Sequence, residues 1–379
     1  MQSTSKNPIT IAIVVLLILV ATIGAGHSFA VPKQKKLIYY GWGTRDTMYV
    51  RDHWQSMEQL PLDGIVISVA IDRSKPTIGD GATANILGWQ LWGIEKYRMQ
   101  DFRPALDDMK SVKWSKFKSN FLIACISSAY QDNNFNWYDD KRWNTILNNW
   151  KIYVTLAKES GCKGIIIDPE SYGGCLFAYK EMNKRRPGSF DTYKAKIRAR
   201  ARQLMRVTNE IYPDITLPLY LSNGYTYYYT DNESKPLEEN YYGLLPAFID
   251  GLLEASDKRT KFIDLNEGAY GGVGREGFLE WYHLTYNRGL KLSAVPELYR
   301  TRMSAGFPVW IDCSYYEKSW DTNDFSKNYY SPDSLKTALQ SALDVTDEYV
   351  WIYSEKGPSF FPLGNLPEPY LKAMREAKQ

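Results

Sequence analysis

Residues 164–171 read GIIIDPES, and the fold turns on how this stretch is understood. Three consecutive isoleucines suit a strand buried on both faces, the environment of a parallel sheet covered by helices. The run ends in Asp168 and Glu170, two positions apart, and a strand turns such residues toward the same side. A buried strand that delivers two carboxylates to one place raises the question of what they serve.

Outward from this stretch the same pattern recurs along the chain. Apolar, β-rich runs predict strands at 37–42, 64–71, 119–127, 164–168, 215–222, 260–265, 307–313 and 348–354. Helical spacing fits the intervals 49–60, 102–112, 140–160, 191–211, 241–256, 277–288 and 331–345, with a last helix at 368–377. Eight alternations of strand and helix predict an α/β fold, a single (β/α)8 TIM barrel, rather than an open doubly wound sheet. No strand leads into GxGxxG, and the glycines of GAYGGVG (268–274) stand at other spacings. Links into strands are short, such as GCK before 164–168, whereas links out of strands are long and rich in Tyr, Trp, Asn and Gly. The long βα loops crowd the carboxyl end of the barrel, where this fold does its chemistry.

Strand parity sorts the side chains at that end. With Ile165 and Ile167 against the helices, Ile166, Asp168 and Glu170 face the axis. The same logic turns Asp264 and Asn266, Trp310 and Asp312, Tyr220 and Ser222, and Trp351, Tyr353 and Glu355 inward. The first strand offers Tyr40 and Trp42 on one parity and Tyr39 on the other, and the pattern does not choose. Few Lys or Arg stand at strand ends to neutralise these acids. Crowded acids without cations hold protons to unusual pH, as a general acid must near neutrality. The competing reading of any single acid is a cap on the helix that follows it.

Only three histidines occur, and His53 and His283 fall in predicted helices, so a zinc site or a Ser–His–Asp triad has almost no material. No metal and no cofactor is expected. What remains is two-carboxylate chemistry beside aromatic platforms, the equipment for cleaving a glycosidic bond. Glu170 is the candidate acid, Asp168 the residue tuning it, and Asp312 or Glu355 the nucleophile or base. Tyr40, Trp42, Ser222, Asn223, Asp264, Asn266, Trp310, Trp351 and Tyr353 are candidate substrate contacts, with Trp89, Trp92, Trp137 and the cluster around Tyr227 lining an outer cleft.

GIIIDPE resembles the end of the strand-four motif of chitinase-type (β/α)8 glycoside hydrolases, where an Asp and a Glu two residues apart close the strand. That resemblance implies Glu170 as general acid with Asp168 as its partner. Ile165 and Ile167 stand where that motif carries acids. The chain is also similar to the large clan of retaining barrel glycosidases, whose acid closes strand four and whose nucleophile closes strand seven, which implies Glu170 and Asp312. The two alternatives remain open at the level of sequence.

Composition frames this reading. With 29 Tyr and 12 Trp, the chain is rich in the flat rings that stack on sugars. Lys6, the apolar run from Ile9 to Gly24, and small residues up to Ala30 read as a signal peptide over 1–30, or a membrane anchor if retained, with the barrel over 31–379. The expected location is therefore secreted or periplasmic, with a membrane partner only if the segment stays. Charge is nearly balanced and no basic run stands out, so a nucleic-acid partner is not expected. A monomer acting on a carbohydrate is. Four scattered cysteines fit buried thiols better than a framework, although a Cys162–Cys175 bridge is conceivable. The alternatives to a hydrolase are a non-catalytic carbohydrate-binding barrel, or a sugar-active lyase or deacetylase.

Overall fold

The computed structural model describes residues 34–79, 81–127, 134–172, 174–229, 235–315, 318, 320–355 and 360–379. The expected signal segment, 1–30, lies outside the described residues. Lys35–Gln379 forms one compact unit.

The strands are β1 (Lys36–Gly41), β2 (Gly64–Ser68), β3 (Phe121–Cys125), β4 (Gly164–Asp168), β5 (Thr216–Leu219), β6 (Lys261–Asp264), β7 in two pieces (Met303–Ala305 and Phe307–Trp310) and β8 (Tyr349–Ser354). All pair in parallel with their sequence neighbours. The ring closes at two places. β1 pairs with β8 over six residues, Lys36 with Tyr349 through Gly41 with Ser354. The first piece of β7 pairs with β6 and the second with β8, so one strand changes partner at Gly306. A Cβ at Gly306 would sit 3.0 Å from the Tyr349 carbonyl oxygen, which accounts for the glycine at this crossing.

β4 is the opening stretch, and every residue of it is buried. Its isoleucines lie between the barrel interior and the helical layer, each stabilising the fold by roughly 1.5–3 kcal/mol of apolar transfer. The strand begins with glycine because a Cβ at Gly164 would fall 1.7 Å from the Thr216 carbonyl oxygen of β5.

Among the described residues, eight longer helices cover the barrel: α1 (Thr47–Met57), α2 (Arg103–Ser111), α3 (Asp140–Glu159), α4 (Phe190–Ile211), α5 (Leu245–Ala255), α6 (Arg275–His283), α7 (Pro332–Val345) and α8 (Glu368–Ala377). Side-chain caps start several of them, Asp46 accepting from the Tyr49 N–H and Asp139 from the Arg142 N–H. The α6 spiral continues as a π-helical turn, Leu284–Arg288. The long loops also hold short helices that the sequence pattern did not reveal, among them Asn223–Tyr229, read above as a loop cluster. All four cysteines are buried free thiols, so Cys162 and Cys175 form no bridge. Among the described residues, no helix is long and apolar enough to cross a membrane.

Candidate active site

β4 carries Asp168 to its carboxyl end fully buried, and Pro169 then lifts Glu170 to the mouth, where it is part-exposed. The Glu170 N–H donates to Asp168 Oδ1 at 2.9 Å. Tyr172 bridges the pair, its hydroxyl 2.6 Å from Glu170 Oε2 and 3.1 Å from Asp168 Oδ2. Parity correctly turned both acids toward one place.

A third carboxylate joins them, and the sequence reading missed it. β6 ends at Asp264, and Asn266 takes the left-handed conformation, φ 47 and ψ 52. That conformation costs a residue with a Cβ about 1–2 kcal/mol and is tolerated best by Asn and Asp after glycine. A lock of hydrogen bonds holds it. Asp264 accepts from the hydroxyls of Ser222 and Thr285 and from the Asn266 N–H. The Asn266 amide donates to the carbonyls of Asp264 and Gly306, both at 3.1 Å, and its oxygen accepts from Thr285. Glu267 follows this turn, near enough to the β4 acids for their charges to raise it.

The electrostatics show the convergence. Burial pushes Glu267 well above the usual carboxylate range, and the charges of Glu170 and Asp168 push it further. Asp168 is likewise raised, first by burial and then by Glu170. Glu170 is raised by burial, with the Tyr172 hydrogen bond working in the opposite direction. Among the described residues, no Lys or Arg pairs with any of the three. Three such groups share protons rather than all ionise.

Beneath them lies an aromatic floor. Trp351 contacts Tyr220 with ring centroids 4.8 Å apart and Tyr270 at 5.3 Å, and Tyr40 contacts Tyr220 at 5.3 Å. Tyr353 packs on Tyr270 at 5.2 Å, and Trp310 closes that side at 5.4 Å from Tyr270. Tyr40 therefore faces the axis, which settles the parity of β1. Tyr39 turns the other way, onto Phe360. The Tyr220 hydroxyl is buried and, among the described residues, has no hydrogen-bond partner. The Trp351 indole N–H is already used on the Leu265 carbonyl at 3.0 Å.

The remaining sequence candidates separate. Ser222, Asn223, Asp264 and Asn266, expected to reach substrate, are at most 1% exposed. Ser222, Asp264 and Asn266 form the lock behind Glu267, and the Asn223 amide donates to the Gly289 carbonyl. Their polar groups hold the backbone instead of facing the mouth. Asp312 and Glu355 sit together: Asp312 accepts from the Glu355 N–H at 3.0 Å and from the Trp310 indole N–H at 2.9 Å, and the charges of both, like that of Glu170, bear on Tyr353. β7 and β8 end before them, so strand parity no longer sets their direction. Trp92 and Trp137, assigned to an outer cleft, are fully buried packing residues. Trp42, by contrast, is 48% exposed and stacks at 6.0 Å on Trp89. Tyr227 is nearly buried, beneath the Arg288 guanidinium. Among the described residues, no three His, Cys, Asp or Glu side chains converge as a metal ion needs.

No protein-family model matches the sequence, and no curated protein is similar to it in sequence. By structure the chain is similar to an endocellulase from Pyrococcus horikoshii, with 12% identity over 94% of this chain and 95% of that one and a TM-score of 0.47. It is similar to a psychrophilic glycoside hydrolase family 10 endo-β-1,4-xylanase at 8% identity over 90% and 96% of the two chains, TM-score 0.44. A GH18 chitinase from the chitin utilization locus of Flavobacterium johnsoniae gives 10% identity over 91% and 94%, TM-score 0.37. At such identities and scores, what this chain does has to come from its own side chains.

Proposed function

We propose that this protein is a glycoside hydrolase with Glu170 as general acid and Glu267 as the second carboxylate, nucleophile or base. The observation that carries the reading is the cluster of Asp168, Glu170 and Glu267, raised together above the usual carboxylate range over a Tyr and Trp floor. Glycosidic cleavage needs one protonated and one ionised carboxyl on either side of the scissile bond, and mutual repulsion enforces that split. Glu170 and Glu267 are both part-exposed, with room to meet a substrate, whereas Asp168 is fully buried; Glu170 suits the acid because Asp168 and Tyr172 hold it beside a second carboxyl. Glu267 comes from a different strand end, following β6, which makes it a carboxylate independent of the β4 pair. Asp168, fully buried and bonded to the Glu170 N–H and to Tyr172, orients Glu170 and loads it with repulsion. The apolar run near the N-terminus supports export, with substrates outside the cytoplasm.

The test is digestion of a polysaccharide and oligosaccharide panel by wild type, Glu170→Gln and Glu267→Gln, read as reducing ends released. Product from wild type and loss in both variants is expected. A Glu267→Gln enzyme as fast as wild type removes Glu267 from the chemistry. A wild type that releases nothing, yet binds a glycan, turns the barrel into a binding module.

A further inference from the structure

The end of the barrel where the strands begin carries a different charge from the mouth. Backbone hydrogen bonds stitch the strand entries into one rim: the Lys36 N–H donates to the Glu348 carbonyl at 2.8 Å, Asp63 to Leu37 at 2.7 Å, Ser119 to Asp63 at 3.0 Å and Lys163 to Asn120 at 2.7 Å. At this rim Lys116, Lys118, Lys163 and Lys258 lead into β3, β4 and β6, and all four are exposed. Among the described residues none of the four forms an ion pair with a carboxylate. The Lys116 and Lys118 ammonium groups rest instead on backbone carbonyls, of Glu58 and Leu60 and of Trp114. Several acids of the rim, in contrast, are turned into the chain. Glu58 accepts the N–H groups of Ser115, Lys116 and Phe117. Asp63 accepts from the Leu37 N–H and from Lys378, and Glu348 is buried beneath Lys36 and Lys261. Glu159 and Asp214 remain exposed, the first paired with Lys110 and the second near enough to Arg259 to act on it.

We propose that this rim docks on an anionic membrane surface, with the mouth turned away from the lipid. Lipid is the partner because of what is attached here: the apolar run Ile9–Gly24 joins the barrel at this end, where β1 starts at Lys36. Residues 25–35, between the two, reach at most about 40 Å even fully extended, so a run held in a bilayer keeps this end of the barrel near it. Ammonium groups without carboxylate partners are what a surface of lipid phosphates attracts, within a Debye length. The mouth offers such a surface no counterpart: Asp168, Glu170 and Glu267 crowd there and, among the described residues, no Lys or Arg pairs with them. Docking by the rim therefore leaves the mouth open to the surroundings. The proposal does not depend on the hydrolase reading, since none of these lysines touches the acids.

The test reconstitutes the full chain, apolar run included, in vesicles of phosphatidylcholine and in vesicles of phosphatidylcholine mixed with phosphatidylglycerol. Acetylation of each lysine is then followed by mass spectrometry. On the mixed vesicles Lys118, Lys163 and Lys258 are expected to label roughly fivefold more slowly than on the neutral ones, and about 1 M salt should restore them. Lys184 and Lys327, exposed on loops at the mouth, should label alike on both. In a chain carrying Lys118→Glu and Lys163→Glu, Lys258 is expected to lose its protection. If circular dichroism shows that this variant does not fold, Lys163→Gln alone should weaken the protection by a smaller factor. The proposal is overturned if neutral vesicles protect the rim as well as mixed ones, if rim and mouth lysines are protected together, or if protection survives the charge reversal. A DNA duplex that shields the rim where the mixed vesicles do not assigns the face to nucleic acid and overturns it as well.

Discussion

Two acidic groups stand at the barrel mouth, and they differ in what their oxygens meet. On the β7–β8 side, Asp312 accepts a backbone N–H from Glu355 and an indole N–H from Trp310, the arrangement of an acid that pins a chain end. On the β4–β6 side, Asp168, Glu170 and Glu267 meet each other and tyrosines, and all three are raised. Buried acids crowded against one another hold protons. The contrast separates a structural carboxylate from a chemical one where residue type and location in the fold do not.

The largest effect should break that symmetry outright. Glu170→Gln and Glu267→Gln are expected to lower kcat about 10²–10⁴-fold. Asp312→Asn and Glu355→Gln should stay within a few-fold of wild type. Steady-state kinetics on whichever glycan the panel identifies checks this, and a Glu355→Gln defect as deep as that of Glu267→Gln would erase the distinction.

Next comes the lock behind Glu267. Asn266→Ala loses the tether to the Asp264 and Gly306 carbonyls and leaves a Cβ in a left-handed turn. Kinetics should show kcat down about 10–100-fold with KM little changed, because a displaced carboxylate costs rate rather than binding. Asn266→Gly accepts the backbone at low cost, so it should recover stability ahead of activity; equal recovery of both would mean that the side chain does nothing beyond permitting the turn.

A subtler difference lies in pH dependence. The Tyr172 hydrogen bond favours ionised Glu170, so removing it raises the carboxyl further. In Tyr172→Phe the protonated acid persists to higher pH and the alkaline limb of kcat/KM moves up. A limb that moves down contradicts the assignment of Glu170 as acid.

The smallest effect is on stability. Groups raised in the folded state stabilise fully below their unfolded pKa, and that contribution disappears as pH rises through the folded values. Asp168→Asn takes one such group away. Melting curves should show the variant gaining on wild type toward alkaline pH, with a Tm difference on the order of 2 °C.

The barrel was legible in sequence because its signals are local. Each buried strand is a short β-rich run, each outer helix a periodic one, and all eight helices formed within a few residues of the expected bounds. Inward parity held where the strand persisted, as it did for Asp168 and Trp351. It failed where the backbone left the extended region. Counting by twos from Asp264 turned Asn266 inward, but the left-handed turn at Asn266 hands that direction to Glu267. Asn followed by Glu-Gly at a strand end was the available sign, because Asn is among the few residues that accept such a turn. The split of β7 was hidden for a different reason. Its first piece, MSA, is too short to register as a strand, and only long-range pairing reveals it.

The order in which the barrel is assembled has a consequence for synthesis. Glu170 and Glu267 lie in the first three quarters of the chain, but the floor beneath them depends on Trp351 and Tyr353, in the strand that also seals the ring against β1. A nascent polypeptide leaving the ribosome therefore possesses its acids long before it has anything to lay a ligand upon. Premature termination ahead of the final strand yields no slow or sloppy enzyme, only an unsealed half-shell.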